Sequence, residues 1–223
     1  MGPGLIAAGA MQLNLFVGTM IATLQDGAAS VLYYADRVYQ LPLALFGIAL
    51  SVVLLPELTR RLQSQGEAAA REGLNRGLEY ALLLTLPATV ALMTIPLPIT
   101  RALFERGAYT AADSVATALA LFAYAAGLPA FVLTKVLQPA FFAREDTVTP
   151  LKAALVGVAT NLTLAILLFL LLRDRGYGFL GLAAATAIAA WVTCGLLAWK
   201  LRRRGLLRPD RRLAGRLPRQ LLA

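Results

Sequence analysis

The residues best able to do chemistry in this sequence are Tyr33-Tyr34-Ala35-Asp36-Arg37, at the head of nineteen uncharged residues running from Val38 to Pro56. A guanidinium keeps its charge and offers a planar fork of donors that matches phosphate or carboxylate oxygens. Tyr33 and Tyr34 precede Arg37 by four and three residues, so a helix would set both rings on its face, where a cation can rest against them. Asp36 is displaced from Arg37 by about 100° around the same helix, too far for a good local ion pair. The group reads as an anion-binding side chain with a neighbouring acid. Other chemistries lack material. The chain has no His and one Cys, which removes His-based catalysis, Cys/His metal sites and disulfides, and Cys194 sits in apolar sequence as a packing residue. Asp36, Glu105 and Asp113 make no obvious paired carboxylates for acid-base work on a lipid-linked sugar, the chemistry a membrane enzyme would need.

A second set of polar residues interrupts otherwise apolar runs. Gln12 and Asn14 lie two apart, on faces about 200° apart, so at most one enters any narrow cleft. Lys135 stands roughly 10 Å, at helical rise, from the inner end of its run, within snorkelling reach of headgroups. Thr160, Asn161 and Thr163 form a polar patch in mid-run, of the kind that bonds helices together in lipid. Pro87, Pro129 and Pro139 predict kinks, which membrane helices tolerate and transporters use to shape cavities.

The elements that must hold these residues are membrane helices. Hydrophobic residues make up 59% of the chain and charged residues 15%. The apolar residues after Arg37 occupy every face of a 3.6-residue period, leaving no side for water. Six blocks approach the ~20 residues needed to cross the hydrocarbon core: about 2–24, 30–55, 77–97, 110–142, 148–172 and 177–199. The expected fold is an all-α integral membrane protein, a six-transmembrane-helix bundle over residues 1–199 with a basic cytoplasmic tail over 200–223. The segment PELTRRLQSQGEAAAREGLNR predicts an amphipathic or loose polar connection. With the amino terminus cytoplasmic, inner segments and tail hold fifteen Lys and Arg and outer loops four, the bias of the positive-inside rule. That bias accounts for the net charge of +9 without a nucleic-acid partner. MGPGLIAAGA lacks the basic region of a signal peptide. Its abrupt start, and the ending PRQLLA after a basic stretch, read as an excerpt from a longer chain.

YYADRVYQLPLALFGIALSVVLLPELTR resembles the corresponding segment of the lipid II flippase family, known as MurJ or MviN. QLNLFVGTMIA, LFERGAYTAADS and KVLQPAFFAREDTVTPLKAA resemble the same family in the same order. The resemblance implies fourteen helices in two lobes around a central cavity, with this chain corresponding to helices seven to twelve. The amino-terminal lobe and the last two helices have no counterpart here. It further implies a multi-pass protein of the bacterial cytoplasmic membrane that moves a lipid-linked peptidoglycan precursor, an undecaprenyl diphosphate sugar-peptide, to the outer leaflet. Membrane lipid and the amino-terminal lobe are the other implied partners. Substrate contacts fall on Arg37 and Asp36 by position, with Tyr33, Tyr34 and Lys135 beside them as candidates from the residue reading. No cofactor is expected, and membrane potential or sodium is the driving force to consider. Some members carry an acid where this sequence has Gly18, contributing with polar residues to a sodium site. Asn14, Asn161 and Thr186 are the weaker candidates for cation contacts here. Exporters of polysaccharide intermediates or drugs in the same superfamily are the nearest alternative.

Overall fold

A computed structural model describes residues 2–207, with side chains from Gln12 onward. Every regular element among the described residues is helical: α1 (Gly2–Ala22), α2 (Ala28–Pro42), a π-helical turn (Leu43–Ile48), α3 (Ala49–Gln65), α4 (Glu67–Thr94), α5 (Pro96–Phe104), α6 (Ala111–Phe142), α7 (Val148–Arg173) and α8 (Gly178–Arg203). Five stretches are long and apolar enough to cross a bilayer: Ala28–Gln65, Glu67–Thr94, Ala111–Phe142, Val148–Arg173 and Gly178–Arg203. α1 adds the shorter apolar stretch Gln12–Ala22. The tail beyond Leu207 lies outside the described residues.

α2, the π-turn and α3 run together as one 38-residue rod. At 1.5 Å per residue it measures roughly 57 Å, well beyond the ~30 Å hydrocarbon core. The sequence 56–76, read as an amphipathic or loose connection, is therefore the projecting end of α3 and the first turns of α4, broken only at Gly66 with φ of 83°. Its charges satisfy one another along the helices. Glu57 accepts from Arg60 at 2.8 Å and Arg61 at 2.6 Å, and Arg76 pairs with Glu72 at 2.5 Å. α5 is a helix that the block pattern did not anticipate. Pro96 opens it after Ile95 leaves helical geometry, and the buried Thr100 hydroxyl ties it to α6 through the Ser114 carbonyl at 3.0 Å. α6 begins at a capping box in which Thr110 and Asp113 satisfy each other's backbone N–H.

α6 is the central post. Leu121, Leu128, Val132, Val136, Leu137 and Phe141 are sealed from the surface, and the helix packs against α2, α3, α4, α5 and α8. Pro87, Pro129 and Pro139 all remain inside helices. α8 lies between α6 and α7, and small residues set those distances. A Cβ on Gly127 would fall 2.8 Å from the Ala187 Cα, and one on Gly181 would fall 2.8 Å from the Leu168 carbonyl. Close backbone approach of this kind is how helices associate where lipid tails are as apolar as Leu. α1 packs mainly on α7. Leu13, Leu15, Phe16, Val52, Val53 and Leu171 point outward, each more than 60% exposed, as a lipid-facing surface requires.

Ion pairs at the tail end of the bundle join elements distant in sequence. Arg144 reaches Glu67, and Arg204 reaches Asp146 at 2.7 Å. Asp146 also accepts from the Thr149 amide at 2.9 Å at the start of α7. Partial burial pushes its carboxyl up, and the Thr149 and Arg204 donors outweigh that and hold it below the usual carboxylate range.

Candidate anion and cation cavity

Arg37 projects from the exposed face of α2, its guanidinium carbon 4.8 Å from the centre of the Tyr33 ring. Among the described residues no carboxylate pairs with it. Tyr34, expected to flank Arg37 as well, turns elsewhere. Its ring lies 4.8 Å from Phe104 and 5.1 Å from Tyr109, so it fastens α2 to α5. The helical wheel gives the reason: four residues bring Tyr33 to within about 40° of Arg37, whereas Tyr34 is turned about 60° to the other side, toward α5.

Asp36 faces a different space from Arg37. It accepts a hydrogen bond from Gln40 one turn on and lines a cavity of about 320 Å³ between α1, α2, α6, α7 and α8. Asn14 and Gly18 line it from α1, Tyr33 from α2, Tyr124 from α6, Asn161 from α7 and Thr186 from α8. The Asn161 amide nitrogen donates to the Asn14 side-chain oxygen at 3.1 Å, a bond between residues 147 positions apart that joins α1 to α7. The Asn161 Oδ1 is buried with no partner. Thr186 donates its hydroxyl to the Leu182 carbonyl at 3.0 Å, leaving its lone pairs to the cavity. An orphaned amide oxygen beside a hydroxyl and a carboxylate is a donor set suited to a hard cation. No group of three or more His, Cys, Asp or Glu gathers among the described residues, so the charge available suits a monovalent ion better than a divalent one.

The structure thus divides the expected site residues. Asn14, Asn161 and Thr186 share one cavity, and Asp36 and Tyr33 join them there. Gln12 stays exposed, so one amide of the Gln12/Asn14 pair enters the cleft. Of the polar patch on α7, Asn161 alone lines the cavity, while Thr160 bonds back to the Val156 carbonyl at 2.8 Å. Lys135 is not part of this group. It stands eleven residues beyond Tyr124, roughly 16 Å along α6, and its stem passes over Gly47 of the π-turn, where a glycine Cβ would lie 3.6 Å from the Lys135 Cγ. Lys135 therefore lies outside the cavity that Asp36 lines. Tyr124 was missed by sequence reading because nothing in α6 distinguishes it from a core aromatic. It stacks on Tyr39 at 5.5 Å and lines the cavity.

Comparison with known proteins agrees with this architecture. The profile of the family described as "Lipid II flippase MurJ" matches residues 1–222. A protein of Rhizobium tropici named "Probable lipid II flippase MurJ" is 46% identical over 205 residues, which cover 92% of this chain and 38% of that protein. A Rhizobium meliloti (strain 1021) protein of the same name is 45% identical over 99% of this chain and 40% of its own length. The chain therefore spans about 40% of these curated relatives. Among solved structures, "Lipid II flippase MurJ, inward closed conformation" superposes with a TM-score of 0.80 at 30% identity, over 90% of this chain and 41% of that one. A multidrug resistance MATE transporter of the MOP superfamily in its outward-facing conformation gives 0.79 at 18% identity over 95% of this chain and 48% of that one, a likeness of fold. By the extent of the profile match and the shared helical architecture, this chain belongs to the lipid II flippase MurJ family.

Proposed function

We propose that this chain forms the Arg37-bearing lobe of a lipid II flippase in the bacterial cytoplasmic membrane, with the lipid-linked diphosphate sugar-peptide as its cargo and alternating access as its mechanism. The observation that carries this reading is the state of Arg37: exposed on α2, braced by Tyr33 and paired with no carboxylate among the described residues. An arginine in lipid is costly unless water, a facing protein wall or an anion meets it. The family gives the anion its identity, and the guanidinium fork gives it two hydrogen bonds. What the chain offers the cargo is binding and orientation, so it is a carrier and not an enzyme. A monovalent cation in the neighbouring cavity, on Asn14, Asn161 and Thr186, would supply a sodium-linked driving force alongside membrane potential. Binding of a lipid-linked diphosphate by the purified full-length protein, competed by inorganic diphosphate and lost in Arg37→Ala, is the direct test. Binding that ignores both would overturn this reading.

Two further outcomes follow from it. Both ends of this chain lie on the cytoplasmic side, as its fifteen-to-four distribution of basic residues implies. Asp174 and Gln65 are both exposed and lie at opposite ends of the bundle. In a Cys194→Ala background, an impermeant thiol reagent added from outside should label Asp174→Cys and spare Gln65→Cys. The reverse pattern sinks the orientation. Vesicles reconstituted with this chain alone should translocate no lipid-linked precursor, because Arg37 then faces lipid or a chance partner in place of the opposing lobe. Robust transport would show that two copies can serve as both walls.

A further inference from the structure

Residues 103–114, LFERGAYTAADS, form a cap on the bundle: the end of α5, the connection 105–110 and the first turn of α6. Hydrogen bonds fix this cap to α6. The Tyr109 hydroxyl donates to the Asp113 carbonyl at 3.2 Å and accepts from the buried Thr117 hydroxyl. Ser114 donates to the Glu105 carboxylate at 2.9 Å, and Arg101 pairs with that carboxylate at 3.3 Å. Gly107, with φ of 63°, supplies the left-handed residue that reverses the chain. The reversal brings the Phe104 and Tyr109 rings within 6.0 Å of each other.

We propose that this cap positions the anion site: Phe104 and Tyr109 seat Tyr34, and Tyr34 sets the Tyr33 ring and the Arg37 guanidinium in the bearing that meets a diphosphate. The contacts run without a break from cap to cation. Phe104 and Tyr109 stand 4.8 and 5.1 Å from Tyr34, and Tyr34 meets Tyr33 edge to face at 5.8 Å with the planes at 76°. Arg37 completes the series, 4.8 Å from the centre of the Tyr33 ring. Burial does not hold the last two side chains, since Tyr33 is 55% exposed and Arg37 is exposed as well. Without Tyr34 behind them both would sample more rotamers, and the cost of ordering them would fall on binding. Phe104, Tyr109 and Tyr34 are therefore positioning residues that act through Arg37, and their role rests on reading Arg37 as the diphosphate contact.

Binding of inorganic diphosphate to the purified full-length protein should be measured by calorimetry, with the thermal unfolding midpoint followed in parallel. Tyr34→Leu and Phe104→Leu should each weaken the affinity roughly two- to tenfold, the range that an aromatic pair contributes. Tyr34→Phe, which keeps the ring, should bind as the wild type does. Added to Arg37→Ala, Tyr34→Leu should cause no further loss of the residual binding, because its effect passes through the arginine. Gly127→Ala, which sets a Cβ 2.8 Å from the Ala187 Cα, should lower the midpoint and leave the affinity intact. Should the leucine variants fail to fold, Tyr109→Phe decides by the same readout. It removes one oxygen and both hydrogen bonds to α6, and it should weaken binding. Unchanged affinity in the cap variants, beside binding that depends on Arg37, overturns the positioning role and leaves the carrier reading in place. A loss shared by Gly127→Ala, or one that persists in the Arg37→Ala background, overturns the positioning role too. Binding untouched by Arg37→Ala overturns the carrier reading and the positioning role together.

Discussion

Replacing Arg37 with alanine in the full-length protein should abolish growth complementation, and replacing it with lysine should impair growth without restoring the wild-type level. The guanidinium carbon stands 4.8 Å from the centre of the Tyr33 ring, and no carboxylate pairs with it among the described residues. A diphosphate can take two parallel hydrogen bonds from that fork, and an ammonium cannot reproduce the geometry. Hydrogen bonds to charged groups contribute on the order of 1.5 to 3 kcal/mol, so loss of this contact corresponds to roughly ten- to a hundredfold in affinity. Asp36→Asn should harm diphosphate binding less than either change, since the acid faces the other space. If Arg37 served only to anchor the helix at the outer interface, lysine, which snorkels well, would substitute fully. Normal growth of the lysine variant, with membrane levels checked by blotting, would establish that interfacial role and remove the anion contact.

Gly127→Ala on α6 and Gly181→Ala on α8 should each lower the thermal unfolding midpoint, whereas Gly195→Ala, also on α8, should leave it unchanged or raise it by the small gain in helix propensity. The first two added methyl groups meet backbone, the Ala187 Cα and the Leu168 carbonyl, at 2.8 Å. Neither neighbour can rotate out of the way, so the helices must part. Overpacking of this kind costs about 1–3 kcal/mol in a well-packed core. At Gly195 nothing lies within 4 Å of the added Cβ, which makes it a matched control for helix propensity. Equal midpoints for all three variants would show that α6, α7 and α8 are not held at backbone contact.

Helix type and most crossings were legible in the sequence because lipid imposes one rule, an apolar surface with internally satisfied backbone, and that rule is written into hydropathy. The polar extensions of α3 and α4 were less legible. Once a helix leaves the membrane its hydropathy drops, while pairs such as Glu57 with Arg61 continue to support it. α5 stayed hidden because nine residues opened by a proline are too few to show a period. At the site, spacing alone assigned Tyr33 to Arg37 and turned Asp36 away from it. Spacing cannot say what a side chain turns toward. That Asp36 and Asn161 share one cavity depends on α1, α2 and α7 meeting, a long-range fact carried by contacts such as Asn14 with Asn161. Lys135, named for its charge within an apolar run, stands outside the cavity that Asp36 lines, a placement that its own sequence neighbourhood does not show.

The π-turn at Leu43–Ile48 gives this protein an uneven tolerance for changes in length. Such turns carry one residue more than an α-helix uses over the same course. Deleting any one of those six residues would leave a smooth α-helix, with its hydrogen bonds intact and its hydropathy unaltered. A deletion elsewhere between Arg37 and Leu54, in the α-helical parts of the rod, would instead rotate Arg37 and Asp36 by about 100° relative to Leu54 and Leu58, which remain clamped over Gly77 and Gly73. Both charges would then swing off their faces together. The rod acts as an angular gauge in which a single codon sets the bearing of the site.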